Sequence, residues 1–399
     1  MLNNIKEYFY AIGDSLRTEI RLIFSDAAVY SSYIGATLLI GILYSYVYSK
    51  EVISELPIVV VDLDQTQMSN KLVRMINATK EVSVKYSVSD MSQAHELFDS
   101  GLVKGVVVVN HNFSKKIQKG EVPALSVYCD ASYMLYYKQM LTAVTSSAGT
   151  FSAGIEINKL IGSGLTSRQA LDSRRPVNPI SKPLYNIDAG YATFLMPVVF
   201  LIAIQTLQIS GMGIIGGTQR EKKQYPENYE FMKRPFGVIF ILIGRSGAYV
   251  LLSTLIMILQ MGFVMRIFDF PLRGNPWEAI LFLIPFILSV TFLGIFLTNF
   301  FKNREDAVMT VTIFSIPALF LCGVSWPTIA FPEWLKVLSI FSPSTLGVKG
   351  YVEITQFGAS FQEIKNTWFQ LWGITFFYFI LAVLSLKRLY FLNLNKSVD

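Results

Sequence analysis

The residue types that usually carry chemistry are scarce in this sequence and form no catalytic or metal-binding pattern. Its two histidines, His95 and His111, match no metal-ligand spacing. No Gly-x-x-x-x-Gly-Lys-Ser/Thr loop occurs, so the chain has no recognisable phosphate-binding loop of its own. The sequence therefore predicts a protein that is not an enzyme and has no cofactor or metal of its own.

One charged segment, from Gly216 to Gly237, lies between two strongly apolar runs and reads GGTQREKKQYPENYEFMKRPFG. Aromatic side chains supply area for burial at a protein interface, and charges set the register of the partners. The segment therefore predicts a docking surface for another protein. Its basic, acidic and aromatic residues are Arg220, Lys222, Lys223, Lys233 and Arg234; Glu221, Glu227 and Glu230; and Tyr225, Tyr229 and Phe231.

The elements that must position this segment are membrane helices. Hydrophobic residues make up 52% of the 399 residues and charged residues only 16%, well below the share in soluble domains. A helix that crosses a bilayer needs about twenty apolar residues, and the sequence contains six such runs. They are Ala27 to Tyr48, Ala189 to Ile215, Phe236 to Met265, Trp277 to Phe300, Ala307 to Trp326 and Thr367 to Leu386.

The distribution of lysine and arginine predicts the orientation of these crossings. Basic residues cluster in the segment 216–237, after Phe300 and after the last run, so we expect these regions and both termini in the cytoplasm. The loop with Arg266 and Arg273 fits less well, because it must lie outside. Since the positive charges flank apolar runs, the net charge of +6 is explained by contact with the lipid bilayer, and we expect no nucleic-acid partner.

The chain divides into four regions. Residues 1–26 predict a cytosolic amphipathic helix, either on the inner membrane surface or packed on the protein itself. Residues 27–48 form the first transmembrane helix, 49–188 a folded domain outside the membrane, and 189–399 the second to sixth transmembrane helices. The apolar face of the first helix contains Ile5, Phe9, Ile12, Leu16, Ile20 and Ile23.

Short apolar runs alternate with helical patterns in region 49–188, which predicts a small mixed α/β domain. The strands are Ile58 to Leu63, the stretch VSVKYSV, Val103 to Val109 and Ala124 to Tyr128. The overall fold class is therefore an α-helical membrane protein with six transmembrane helices and an inserted mixed α/β extracytoplasmic domain.

The charged segment resembles the coupling segment of the ABC-2 type membrane permeases, in which Arg-Glu-Lys precedes a proline and then a Gly-Lys pair. Arg220, Glu221 and Lys222 match the start and Pro235 the proline. Gly244 with Arg245 stands where the family has Gly-Lys, whereas the family's Gly-Thr pair is replaced by Tyr225 and Pro226.

Three further stretches are similar to this family. The stretch VVVDLDQTQMSNKLVRMIN resembles the external domain that one branch inserts between the first two crossings. Glu19 and Asp26 match acidic positions of the family's inner-surface helix. After the fifth crossing the family has a re-entrant hairpin on the outer side, matched here at about residues 324–345. The residues concerned are Trp326, Pro327, Pro332, Trp334 and Pro343.

The resemblance implies a permease subunit of an exporter in the bacterial inner membrane that moves an amphiphilic, drug-like or lipid-like substrate outward. ATP and Mg would be bound by separate cytosolic ABC ATPase subunits that dock on the coupling segment. Each permease would work with a second copy or a paralogue, and a periplasmic adaptor remains an open alternative.

Four polar residues inside the apolar runs have two interpretations each. Arg245 is either a charge on the transport pathway or lies near the inner head groups, in which case the third crossing begins after it and Phe236 to Gly244 form an interfacial helix. Gln205, Gln208 and Asn299 either line the pathway or form hydrogen bonds between helices.

Other classes of membrane protein are less consistent with these residues. An ion-coupled secondary transporter usually has inverted repeats and buried acidic residues in its membrane helices, and neither is evident. A receptor with an external ligand-binding domain needs only one or two crossings. A membrane-embedded enzyme would need a cluster of His, Asp or Cys residues near a membrane face.

Overall fold

The structure is a computed structural model that describes residues 2–174, 182–187, 189–223 and 231–396, the side chains of residues 2–5 and 389–396 excepted. The chain forms two compact units. We call the first, Met1–Glu51 with Pro183–Asp399, the helical unit, and the second, Val52–Lys182, the α/β unit.

The helical unit begins with α1 (Leu2–Ser25), followed by α2 (Ala27–Tyr30) and α3 (Ala36–Val47). A π-helical turn, Ser31–Gly35, joins α2 to α3, so that Ala27–Val47 forms one membrane-length helix. Asp26 separates this helix from α1, because its side chain accepts a hydrogen bond from the backbone N–H of Ala28 at 3.0 Å and caps α2.

The buried face of α1 differs from the apolar face that the sequence predicts. Ala11, Ser15, Glu19 and Ile23 are buried, and α1 packs against α10 (Gly237–Leu259), whereas Phe9 is 70% exposed. The reason is helix–helix packing, since small side chains allow two helix backbones to approach closely. The predicted apolar face lies beside this contact and meets it at Ile23.

The α/β unit alternates strands and helices, as the sequence predicts, and each observed strand lies within two residues of its expected position. Strand β1 contains the buried apolar run, and one long helix, α7, follows the last strand. In chain order the elements are β1 (Leu56–Asp62), α4 (Gln67–Asn77), β2 (Val82–Val88), α5 (Met91–Asp99), β3 (Gly105–Val109), α6 (Phe113–Lys119), β4 (Leu125–Cys129), α7 (Met134–Gly162) and α8 (Ser167–Arg174).

The strands form one mixed sheet in the order β2-β1-β3-β4. Strand β1 pairs in parallel with β2 and β3, and β4 is antiparallel to β3 at the edge. One face of the sheet packs on α4, α6 and α7, and the other face packs on α5. Burial on both faces explains why β1 and β3 are continuous apolar runs.

Asp64, directly after β1, links this strand to α4 and α6. Its Oδ2 accepts hydrogen bonds from the hydroxyl of Thr66 at 2.7 Å, the hydroxyl of Ser114 at 2.6 Å and the N–H of Ser114 at 3.1 Å. Burial acts to raise the pKa of Asp64, but the hydrogen bonds from Ser114 and Thr66 outweigh it, so the pKa lies below its ordinary value of 3.8.

Replacing Asp64 by asparagine is expected to destabilise the α/β unit by about 1–2 kcal/mol at pH 7, through the loss of hydrogen bonds to a charged acceptor. Because the folded-state pKa of Asp64 is depressed, its stabilisation is complete above the ordinary pKa of 3.8 and is lost as the pH falls through the lower, folded value. Hydrogen exchange of the β1 and β3 amides in the whole protein measures both effects. If amide exchange in the variant is as slow as in the wild type and depends on acid in the same way, Asp64 does not stabilise the α/β unit as described.

The rest of the helical unit is a bundle around α9, which is buried along most of its length and contacts α3, α12, α13 and α15. Asn275 caps α12 through the N–H of Trp277, with Pro276 at the first helical position. The helices are α9 (Tyr191–Glu221), α10 (Gly237–Leu259), α11 (Met265–Ile267), α12 (Pro276–Leu297), α13 (Arg304–Leu321), α14 (Glu333–Ile340), α15 (Pro343–Thr355) and α16 (Phe361–Lys396).

Within the described residues, five helices are long and apolar enough to cross a membrane, not the six that the sequence predicts. They are Ala27–Val47, Tyr191–Glu221, Gly237–Ile267, Pro276–Phe300 and Phe361–Arg388. The remaining run corresponds to α13, which has 18 residues, carries Arg304, Glu305 and Asp306 in its first turn and ends at Leu321 rather than near Trp326. A sixth crossing therefore stays a prediction.

Residues 236–244 do not form a helix apart from the third membrane-length helix, and whether Arg245 lies near the inner head groups or on the transport pathway stays a prediction. Helix α10 runs without a break from Gly237 to Leu259, and Arg245 lies in its third turn. The helix can continue because Arg245 has a carboxylate partner on α1, Glu19, at 2.9 Å. A charge that is paired in this way does not have to end the helix at the membrane surface.

Candidate coupling site

Arg220, in the last turn of α9, fastens this helix to the segment between α12 and α13. Its guanidinium donates hydrogen bonds to the backbone oxygens of Asn299, at 3.0 Å, and Phe301, and to the side-chain oxygen of Asn299 at 3.3 Å. Asn299 in turn donates to the hydroxyl of Ser385 on α16. The sequence-predicted residues Arg220 and Asn299 are thus brought together at one end of the bundle.

Glu221 and Asp26 meet at the start of α13. A carboxylate oxygen of Glu221 accepts a hydrogen bond from the N–H of Arg304 at 3.1 Å, and the guanidinium of Arg304 pairs with Asp26 at 2.7 Å. Burial acts to raise the pKa of Asp26. The hydrogen bond from Arg304, its positive charge and the backbone N–H groups at the start of α2 outweigh burial, so the pKa of Asp26 lies below its ordinary value. Glu221, Arg304 and Asp26 therefore join three separate helices.

Gly217 makes this junction possible. A Cβ atom on Gly217 would lie 2.7 Å from backbone atoms of Asn303 and Arg304, closer than real Cβ contacts allow. The backbone of α9 therefore touches the start of α13 directly. We call the end of the bundle formed by Arg220, Glu221, Asn299, Arg304 and Asp26 the coupling end.

The far end of segment 216–237 is attached to α1. The hydroxyl of Tyr8 donates to the backbone oxygen of Pro235 at 3.0 Å, and Arg234 forms an ion pair with Glu7. The ring of Tyr8 also packs edge-on against Phe231, with ring centroids 5.3 Å apart. One end of the segment thus contacts the start of α13, and the other end contacts α1.

Glu19 and Arg245 form the most buried ion pair among the described residues. The Nε and Nη2 atoms of Arg245 donate to the two carboxylate oxygens of Glu19 at 2.9 and 3.2 Å, and the hydroxyl of Tyr249 donates to the same carboxylate at 2.8 Å. The side chain of Glu19 is 3% exposed and that of Arg245 is 21% exposed. The bidentate geometry fixes the contact of α1 with α10.

Gln208, on α9, is at the centre of a buried polar chain in the bundle. Its amide nitrogen donates to the hydroxyl of Thr291 at 2.7 Å, and its amide oxygen accepts from the hydroxyl of Ser253 at 2.8 Å. The hydroxyl of Ser253 also lies 2.6 Å from that of Tyr33, at the first membrane-length helix. Hydrogen bonds between helices, one of the two interpretations of Gln208, are therefore present, and its place on a transport pathway stays a prediction.

Gln205 is paired within the protein as well. Its side-chain oxygen accepts a hydrogen bond from the N–H of Ser344 at 2.8 Å. Ser344 lies in the first turn of α15, where backbone N–H groups have no partner within the helix, so Gln205 supplies the missing acceptor inside the bundle. Like Gln208 and Asn299, Gln205 links helices, whatever role it has in transport.

The predicted hairpin residues lie at helix starts or on the surface. Pro327 precedes a single helical turn, Thr328–Ala330, Pro332 precedes α14, and Pro343 is the first residue of α15. Trp326 and Trp334 are 61% and 67% exposed. Pro343 begins α15 because its fixed backbone angle suits the first helical position, whereas Pro327 and Pro332 are the N-cap residues of the helical segments that follow them.

Part of the predicted docking surface lies outside the described residues, namely residues 224–230 with Tyr225, Glu227, Tyr229 and Glu230. Lys222 is described, is exposed and follows α9 directly. The roles assigned to Lys222 and Pro235 in binding a partner stay predictions.

Sequence reasoning missed the partners of the charged residues. In the sequence, Arg304 is one of the basic residues after Phe300 that indicate a cytoplasmic loop, and no pattern marks Tyr249. Glu19 and Asp26 were singled out, but nothing in local spacing connects Glu19 with Arg245, 226 residues away, or Asp26 with Arg304, 278 residues away. Only the chemistry of these residues indicates that they are paired, because charged residues beside apolar runs need partners of opposite charge.

Residues 28–384 match the family described as ABC-2 family transporter protein, and the chain belongs to this family. The resemblance inferred from the coupling segment is thereby confirmed. The protein is a membrane-spanning transport component of the ABC type, and membership implies that it works with an ABC ATPase.

Three relatives are named as permeases. The inner membrane transport permease YhhJ of Escherichia coli (strain K12) is 22% identical over 387 residues, 96% of each chain. The linearmycin resistance permease protein LnrN of Bacillus subtilis (strain 168) is 21% identical over 384 residues, 87% of this chain and 91% of LnrN. The probable multidrug ABC transporter permease YbhR of Escherichia coli (strain K12) is 20% identical over 193 residues, 48% of this chain and 50% of YbhR.

Proposed function

We propose that the protein is the membrane-spanning permease subunit of an ABC exporter that moves an amphiphilic, drug-like or lipid-like substrate outward. The observation that carries the proposal is the coupling end, where Glu221, Arg304 and Asp26 connect segment 216–237 to two other helices. A separate subunit that hydrolyses ATP binds Lys222 and the neighbouring residues of this segment. The protein itself binds no nucleotide.

Movement of the segment passes into the bundle through two routes. One runs from Glu221 to Arg304 and hence to Asp26, at the junction of α1 with the first membrane-length helix. The other runs from Arg234 and Pro235 to α1, which Glu19 connects to Arg245 on α10. A push on segment 216–237 therefore reaches α1, α10 and α13 together, as switching between two arrangements of the bundle requires.

The proposed topology has six crossings with both termini in the cytoplasm, α13 being the fifth crossing and the α/β unit lying outside. Two copies, or this chain with a paralogue, form the pathway, and a periplasmic adaptor stays an open alternative. The names of LnrN and YbhR, which refer to linearmycin resistance and probable multidrug transport, support a drug-like substrate here. Their permease names also support transport rather than signalling.

Purification from the native membrane in mild detergent tests the proposal, with co-purifying proteins identified by mass spectrometry. We expect an ABC ATPase at comparable stoichiometry, and its loss in the Lys222→Glu variant. Lys222 suits this test better than Arg220, because Lys222 is exposed whereas Arg220 holds Asn299 and Phe301 in place.

Lys71→Glu is the matched control, since Lys71 is an exposed lysine on α4 of the α/β unit. This variant should retain the ATPase. If no ATPase co-purifies with the wild type under conditions that preserve other membrane complexes, the proposed function is wrong. If the ATPase remains bound to Lys222→Glu as it does to Lys71→Glu, the docking surface lies elsewhere.

A further inference from the structure

The α/β unit contains an apolar cleft of about 410 Å³ between α6, α7 and the loop that leads into β4. Its floor consists of Leu72, Phe113 and Phe151, which are 2%, 4% and 7% exposed. The rings of Phe113 and Phe151 face each other with centroids 6.0 Å apart. A volume of this size lies within the range of small-molecule sites, about 300–1,000 Å³.

The loop at the mouth of the cleft exposes apolar surface. Val122 is 94% exposed, next to Pro123, which also lines the cleft. Gly120 ends α6 in a left-handed conformation, with φ of 80°, so the chain turns there without a side chain over the mouth. The mouth therefore stays open above an apolar floor, which is the arrangement of a binding site rather than of a closed core.

Charged groups at the mouth favour an anion. The Lys159 ammonium lies 3.8 Å from the position that a Cβ atom on Gly120 would take. Among the described residues no carboxylate lies within ion-pair distance of Lys159, whereas Glu156 is neutralised by Arg174 at 3.2 Å. Helix α6, which lines the cleft with Phe113 and Ile117, carries three lysines outside the lining and no acidic residue, so the cations in and around the cleft outnumber its two lining carboxylates, Glu121 and Glu156.

We propose that this cleft binds a single-chain anionic amphiphile, with the apolar chain on Phe113 and Phe151 and the carboxylate or phosphate head group at Lys159. The buried walls offer hydrocarbon and aromatic contacts to a chain, and the polar side chains of the lining, Glu121, Ser152, Glu156 and Lys159, are exposed to solvent. That the ligand is the transported cargo rests on the proposed function, but the binding itself does not.

Hydrogen exchange of the whole protein in lipid nanodiscs, without any ATPase, tests the proposal. The probes are dodecanoate and dodecyl phosphate below their micellar concentrations, with dodecylammonium and dodecyl maltoside as cationic and neutral probes of the same chain length. We expect the anionic probes to slow exchange in residues 113–125 and 148–159. Comparing dodecanoate with dodecyl phosphate identifies the preferred head group.

Lys159→Glu should weaken binding of the anionic probes about fivefold or more, because an attraction becomes a repulsion. Lys138→Glu is the matched control, an exposed charge reversal on α7 that does not line the cleft. Ala148→Phe, which fills the cleft, should abolish protection by all probes. Unchanged exchange of the β1 and β3 amides verifies that each variant is folded.

The proposal is overturned if neither anionic probe protects the cleft of the wild type. It is overturned as well if dodecylammonium or dodecyl maltoside protects equally, or if Lys159→Glu binds like Lys138→Glu. Because the ATPase is absent, a negative result here leaves the permease assignment untouched. Conversely, a purification without an ATPase leaves a positive binding result intact.

Discussion

Replacing Glu19 by alanine is expected to destabilise the helical unit by about 3 kcal/mol. Breaking a buried ion pair from one side leaves the other charge without its partner in a poorly solvated place. Here Arg245 loses two hydrogen bonds and Tyr249 loses its acceptor. Unfolding of the purified protein by increasing fractions of a denaturing detergent in mixed micelles measures the change in free energy.

Glu7→Ala provides the matched control for Glu19→Ala. Glu7 and Arg234 also pair α1 with the region near α10, but their side chains are 51% and 48% exposed. Exposed pairs contribute about 0–1 kcal/mol, so this variant should be nearly as stable as the wild type. The double variant Glu19→Ala/Arg245→Ala should recover part of the loss, because no unpaired charge remains. Equal effects of Glu19→Ala and Glu7→Ala would show that Glu19 is not buried against Arg245.

Local patterns in the sequence predict the elements well. The strands of the α/β unit follow from short apolar runs with turn residues between them, and β1 and β3 are found where those runs occur. Long apolar runs likewise locate α9, α10, α12 and α16. These signals are reliable because a strand or helix that is buried on all sides needs apolar residues at nearly every position.

The contacts between elements could not be predicted in the same way. The sequence places Ile12 and Leu16 on the apolar face of α1, yet Ser15 and Glu19 are the buried residues, because the partner helix approaches closely at Gly244. A Cβ atom on Gly244 would lie 2.4 Å from the backbone oxygen of Ile12. Which face of a helix is buried depends on the partner's shape, and that information lies elsewhere in the chain.

In the candidate site, too, the sequence identifies individual residues but not the contacts between them. Arg220 and Glu221 could be selected from the sequence because a charged segment of this length between two long apolar runs is unusual. Their contacts with Asn299 and Arg304 could not, since the two segments are about 80 residues apart in the chain. The contact of Glu221 also changes what a substitution there tests, because its carboxylate binds the start of α13 within the protein itself.

Glu221→Lys is expected to lower ATP-driven transport about tenfold or more, with normal expression and membrane insertion. Glu221 is exposed, so the variant should fold, but a lysine there cannot accept the bond from the N–H of Arg304. It would also place a cation beside Arg304 at the positive end of the α13 dipole. Losing one link of this kind removes coupling free energy of about 1–3 kcal/mol. ATP-dependent uptake of a fluorescent amphiphilic dye into inside-out vesicles that contain the ATPase measures the effect.

Glu221→Gln separates the hydrogen bond from the charge, because its amide oxygen can still accept from the N–H of Arg304. We expect this variant to transport at a rate close to that of the wild type. The amount of ATPase that co-purifies with Glu221→Lys then identifies the step that fails. If the ATPase stays bound while transport is lost, Glu221 transmits movement to α13, and if the ATPase is lost, the residue belongs to the docking surface. Unchanged transport by Glu221→Lys would remove segment 216–237 from the coupling mechanism.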